Sequence, residues 1–159
     1  MSQVYRLMLP AEEINLLYPH LREVDALLEF ASLGTPDTPL LPRFWAYGSD
    51  REVLADQLIT APALTAISKQ AVCPDRVCYR VDWDLSTKEV TNLDRLRTLL
   101  RDLGVTVLFG CITPAEWVLV CQFPTQEAVL RCYTDCGYPD CRLAHQTDLD
   151  FKEYHPTNG

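Results

Sequence analysis

The chain has 159 residues, 48% of them hydrophobic and 23% charged, a balance typical of globular domains and enough length for one domain or two small modules sharing a core. Fourteen basic residues face 22 acidic ones for a net charge of −8, with only Lys69, Lys88 and Lys152 as lysines, which argues against direct nucleic-acid binding because that needs a concentrated basic face. No apolar run approaches the about 20 residues of a membrane helix, and MSQVYRLMLP lacks the basic start and apolar run of a signal peptide, so the expected location is cytoplasmic.

The first alternation of apolar and polar residues, VYRLML at 4–9, predicts a strand. Pro10 followed by Ala-Glu-Glu predicts a helix start, since proline suits the first turn and carboxylates the positive end; Pro19 should interrupt that helix. Residues 26–33 and 40–48 read as strands around the turn-rich GTPDTP. Ser49 and Glu52 have the spacing of a capping box, opening a helix that runs to Pro62, and residues 63–72 read as the next strand.

The same order then returns. VCYRVDW (77–83) alternates as a strand, and Asn92 is placed to cap a helix with the stripe Leu93, Leu96, Leu99, Leu100 and Leu103, stopped at Gly104. Residues 105–112 and 116–123 form a predicted hairpin around Thr113-Pro114. A helix follows from near Pro124 to Gly137, then a strand at 141–147. SDREVL (49–54) and TQEAVL (125–130) open the second helix of each repeat, which supports an internal duplication.

A β-α-β-β-α-β order is the ferredoxin-like plan. The sequence therefore predicts an α+β fold of two such units, with two antiparallel sheets, four helices and the sheet faces packed together. Unit boundaries fall at 1–74 and 75–148, with a short polar tail at 149–159.

Four markers occur in order: FWAYG (44–48), YRVDW (79–83), AEW followed by VLVCQFP (115–124), and the helix ending at Gly137-Tyr138-Pro139. In their order and spacing they make residues 4–147 resemble the domain of the bacterio-opsin activator-type transcriptional regulators of halophilic archaea. In that family the domain accompanies GAF or PAS sensors and a C-terminal helix-turn-helix. The lysine-poor acidic composition is compatible with a high-salt cytoplasm. The resemblance implies a non-enzymatic regulatory or sensory module. The chain given stops at Gly159 without a helix-turn-helix, so the expectation is action through a protein partner of the transcription or signalling machinery, or a small ligand. The cysteine richness departs from that family's pattern.

Trp45, Trp83, Trp117 and Tyr79 all fall on predicted strands and are the candidates for ligand or partner binding. Phe44 and Trp45 are neighbours and must point to opposite faces, so one of them is free to line a groove between the halves, in a monomer or a homodimer. The competing reading is that these aromatics fill the core.

Seven cysteines at irregular spacing imply no disulfide framework. Cys132, Cys136 and Cys141 are the candidate redox thiols, where the last helix turns into the last strand; Cys73 and Cys78 flank another turn. Cys-x3-Cys-x4-Cys-x3-His offers zinc-type ligands. Cys141 and His145, however, lie about 13 Å apart along one predicted strand, whereas ligand atoms of one zinc lie within about 4.6 Å. No metal and no cofactor is therefore expected.

Phosphate loops, nucleophile elbows and metalloprotease signatures are absent, and His20, His145 and His155 are isolated along the chain. His145 is the best general-base candidate. The alternative to the regulatory reading is a small-molecule-binding protein or cofactor-independent enzyme, an oxygenase or isomerase, with a pocket between the halves.

Overall fold

In the computed structural model, which describes residues 2–35 and 37–146, the alternation in QVYRLMLP becomes strand β1 (Gln3–Pro10), with Leu7 and Leu9 fully buried. The polar tail expected at 149–159, with His155, lies outside the described residues. The chain continues through helix α1 (Ala11–Ile14), β2 (Leu27–Phe30), β3 (Arg43–Tyr47), α2 (Leu54–Leu58) and β4 (Leu64–Val72). It then forms β5 (Val77–Trp83), α3 (Lys88–Asp102), β6 (Thr106–Ile112), β7 (Glu116–Phe123), α4 (Gln126–Asp135) and β8 (Arg142–His145).

The arrangement overturns the expected pair of sheets. All eight strands join one antiparallel sheet in the order β4-β5-β3-β2-β6-β7-β1-β8. Exchanging β1 with β5, β2 with β6, β3 with β7 and β4 with β8 turns this order into itself read backwards. The centre falls on the β2–β6 seam, where Leu28, Glu29 and Phe30 pair with Ile112, Cys111 and Gly110. The first strand of each repeat sits in the other half: β5 lies between β4 and β3, and β1 lies between β7 and β8.

The connection at residues 73–76 explains half of this exchange. It is too short to carry β5 to a separate sheet, so it closes as a hairpin, with Cys73 N–H donating to the Arg76 carbonyl at 2.8 Å. β5 then lies against β4 from Val77 to Trp83. The second repeat therefore needs another central strand, and β1 takes that place over eight pairs from Gln3–Phe123 to Pro10–Glu116.

Local chemistry also moves several helix boundaries. α1 is stopped by Asn15, which adopts the left-handed conformation at φ 58°. Ser49 does not cap α2: its hydroxyl and amide both donate to Asp25 Oδ2, and α2 begins only at Leu54. The N-cap of α3 is Thr87 rather than Asn92, and Asp84 organises the turn before it by accepting from the Ser86 amide and hydroxyl. α4 has a side-chain cap, with Thr125 Oγ1 accepting from Ala128 N at 3.1 Å.

The buried residues of all four helices belong to one apolar core, which also takes the inward residues of the strands. Leu93, Leu96 and Leu100 are buried there, while Leu99 and Leu103 pack at its edge. Alternation sends Cys78, Val118 and Val120 to the opposite face of the sheet, where they are buried outside that cluster. Among the described residues, no helix is long and apolar enough to cross a membrane.

Candidate functional site

Residues 32–35, on the connection between β2 and β3, form a strap held beside α3 by one arginine of that helix. Arg97 Nη1 donates to the carbonyls of Thr35 and Thr38 at 3.3 and 3.1 Å, while Nε and Nη2 donate to Asp94 Oδ1 at 3.0 and 2.6 Å. Gly34 makes the turn at φ 99°, where a Cβ would lie 2.4 Å from the Pro39 carbonyl oxygen. Leu41 N–H closes the loop by donating to the Leu33 carbonyl at 2.7 Å.

Beneath this strap lies a cavity of about 620 Å³, within the size range of small-molecule sites. Leu33, Leu100 and Val107 give it apolar wall, and Thr35, Thr98 and Thr106 supply hydroxyl-bearing positions. The first repeat contributes residues 32–35, and the second contributes α3 and the entry to β6. Arg97 and Arg101 border it, but they differ in what they can do. Arg97 is committed to the strap. Arg101 makes a surface ion pair with Asp102 at 3.3 Å, a contact of little net stability that a ligand carboxylate can replace. The chemistry suited to this cavity is a small molecule with an apolar body and hydroxyl or carboxylate groups.

The aromatic candidates are not brought together. Trp83 is buried in the helix-side core, with Nε1 donating to the Leu41 carbonyl at 3.1 Å. Trp117 is buried there against Phe30, at a ring-centroid distance of 6.2 Å. Tyr79 is also buried, its hydroxyl donating to the Arg51 carbonyl and its ring beside Phe44. Burial raises the Tyr79 pKa. Trp45 points to the opposite face, half-buried, with the Arg76 guanidinium 4.3 Å from its ring centroid. Tyr47 accepts a hydrogen bond from Arg76 Nη1 at 3.4 Å on the same face.

Arginines that are scattered in the sequence share this face in two groups, one on β3 and β5 and one on β1 and β8. By strand register it carries Arg6, Arg43, Arg80 and Arg142, with Arg76 over Trp45, against the carboxylates Glu29, Asp82 and Glu116. Glu116 pairs with Arg142 at 3.2 Å. Glu29 opposes Cys111, and burial with the Glu29 and Glu116 charges nearby pushes that thiol up to about 11.

The thiols of the last helix and strand are brought together in part. Cys136 Sγ lies 3.0 Å from Cys141 Sγ, and both residues are buried. Cys132 is fully buried one helical turn earlier, and its pKa is pushed up to about 12, chiefly by burial and then by Cys136. Cys141 is also pushed up to about 12, chiefly by burial and then by its contact with Cys136. Cys121 is wholly enclosed in β7, which raises its pKa strongly. All seven cysteines are free thiols, and among the described residues no group of three or more histidine, cysteine or acidic side chains is placed to hold a metal ion.

His145 lies exposed on edge strand β8, its ring edge-on to Tyr5 at 5.2 Å, and does not line the seam cavity. His20 sits in a short 3-10 turn at His20–Glu23. Sequence reasoning missed Asp94, Arg97 and Arg101. The only available signal was that they interrupt the leucine stripe of α3 on the side facing a polar loop. Compared with models of known protein families and with curated proteins, the chain matches none.

Proposed function

We propose that this protein is a non-enzymatic regulatory module of the bacterio-opsin activator type, taking a small-molecule input at the seam between its two repeats. The observation that carries this reading is the position of the cavity. It lies beside the β2–β6 seam, which is joined by three residue pairs, whereas β1 and β7 share eight. A ligand there contacts both repeats and biases how the strap and α3 sit against the seam. The four ordered sequence markers support the family reading, and a cavity without His145 favours binding over general-base catalysis.

The output runs through a protein partner. The arginine-bearing face, set on a chain of net charge −8, is complementary to an acidic surface of such a partner. Charge reversal at the exposed Arg43 and Arg80 should then abolish capture of a transcription or signalling protein from the native host while leaving ligand binding intact.

Native mass spectrometry of the protein purified from its host tests the ligand reading. The expected result is a bound small molecule that denaturation releases and that Thr98→Trp, which fills the cavity mouth, excludes. A protein without bound ligand, whose melting temperature is unchanged by a panel of small hydroxy and carboxylic acids, would contradict it.

A further inference from the structure

We propose that Cys136 and Cys141 are a redox modification site, closing to a reversible disulfide when the protein meets a hydroperoxide. The two sulfurs are already 3.0 Å apart, and a bond needs about 2.05 Å, so closure requires a shift of about 1 Å. The loop between them is built to allow it. Gly137 turns the chain at φ 84°, with no atom within 4 Å of where a Cβ would stand. Cys141 N–H donates to the Tyr138 carbonyl at 3.1 Å, which holds the turn and keeps the second thiol facing the first.

Access separates the two thiols into roles. A surface depression of about 470 Å³ is lined by Tyr133, Thr134, Cys136, Gly137, Tyr138 and Pro139. Both residues are 5% exposed, and of the two only Cys136 borders this opening, so first contact with the oxidant is assigned to Cys136. Its thiolate attacks the distal oxygen of hydrogen peroxide and breaks the O–O bond. The products are a sulfenic acid on Cys136 and, after proton transfer, one water. Cys141 then attacks that sulfur, the S–S bond forms, and the hydroxyl leaves as a second water. Two thiols are oxidised and one peroxide is reduced to two waters.

Cys132 stays outside this chemistry because it is fully buried on the core side of α4. The bond would tie the end of α4 to the residue preceding β8, the four-residue edge strand beside β1. Burial of Cys141 holds its thiol protonated near neutrality, so closure should be slow at pH 7 and faster at pH 9.

The test treats the folded protein with hydrogen peroxide, alkylates free thiols after denaturation, and maps the tryptic peptide Cys132–Arg142, which contains all three cysteines. The expected peptide is lighter by two hydrogens, carries one alkyl group on Cys132, and regains full alkylation after dithiothreitol. The oxidised protein should also melt several degrees higher than the reduced one. In Cys141→Ser, dimedone should trap the sulfenic acid on Cys136. Full alkylation of the wild-type peptide after peroxide, a bond to Cys132, or irreversible oxygen addition without a bond would each overturn the proposal. The peptide map of the unmodified sequence decides the matter even if the variant folds poorly, and none of these outcomes depends on ligand binding at the seam.

Discussion

Glu29 pairs with Cys111 across β2 and β6, and this pair marks the point about which exchanging the strands of the two repeats reverses the eight-stranded order. Each side of the seam needs a close fit. Phe30 lies over Gly110, and a Cβ on Gly110 would stand 2.1 Å from Phe30 Cζ. Phe30 is itself only 2% exposed and packed against Trp117, so its ring has nowhere to retreat. Gly110→Ala should cost roughly 1–3 kcal/mol through overpacking. Urea denaturation is the check, with a lowered midpoint expected.

Trp45 differs from the other two tryptophans in its surroundings. Trp83 and Trp117 are 7% and 2% exposed in the core, whereas Trp45 is half-buried beneath Arg76. Acrylamide should therefore quench one fraction of the tryptophan fluorescence well and leave the rest little affected. Trp45→Phe should remove the quenchable fraction, and Arg76→Ala should enlarge it.

The turn that precedes β2 responds to acid. Asp25 is held below the usual carboxylate range, first by the Ser49 hydroxyl and then by the Ser49 amide. Its folded pKa is depressed, so its contribution is present above the ordinary carboxylate value of about 4 and is lost as pH falls below that. The urea midpoint should drop between pH 5 and 3, and Asp25→Asn should show a lower midpoint at pH 7 with a smaller acid-dependent fall.

The thiols give the opposite limb. Burial raises Cys111 to about 11 and Cys132 to about 12, above the ordinary thiol value of 9.0. Folding favours their protonated forms, so this contribution is complete below about pH 9 and declines as pH rises toward 11 and 12. Reduced protein should lose urea resistance as pH rises from about 9 to about 11, less steeply in Cys111→Ala.

Much of the secondary structure was legible, because alternation and turn residues are local signals. VCYRVDW and EWVLVCQF form β5 and β7 over the predicted spans. The sheet was not legible. Alternation says which face of β1 is buried, but Leu7 and Leu9 would be equally buried beside β3 or beside β7. The decisive feature was the short connection at 73–76, which reads as a unit boundary in sequence and acts as a hairpin in the fold. Ser49 was misread for a related reason: its capping-box spacing is real, but Asp25, distant in sequence, competes for the hydroxyl. The seam cavity was invisible because it needs the strap at 32–35 and α3 side by side. The thiol pair was partly visible, since Cys136 and Cys141 flank a turn whose Gly137 and Pro139 are plain in the sequence.

Interstrand nuclear Overhauser effects on isotope-labelled protein test the central claim, that the repeats exchange first strands within one sheet, most directly. The expected contacts run between Leu7 and Leu119, between Leu7 and Leu143, and between Leu28 or Phe30 and Ile112 or Gly110. Contacts placing β1 beside β3 and β4, with β5 beside β7 and β8 and none across the Glu29–Cys111 pair, would contradict it.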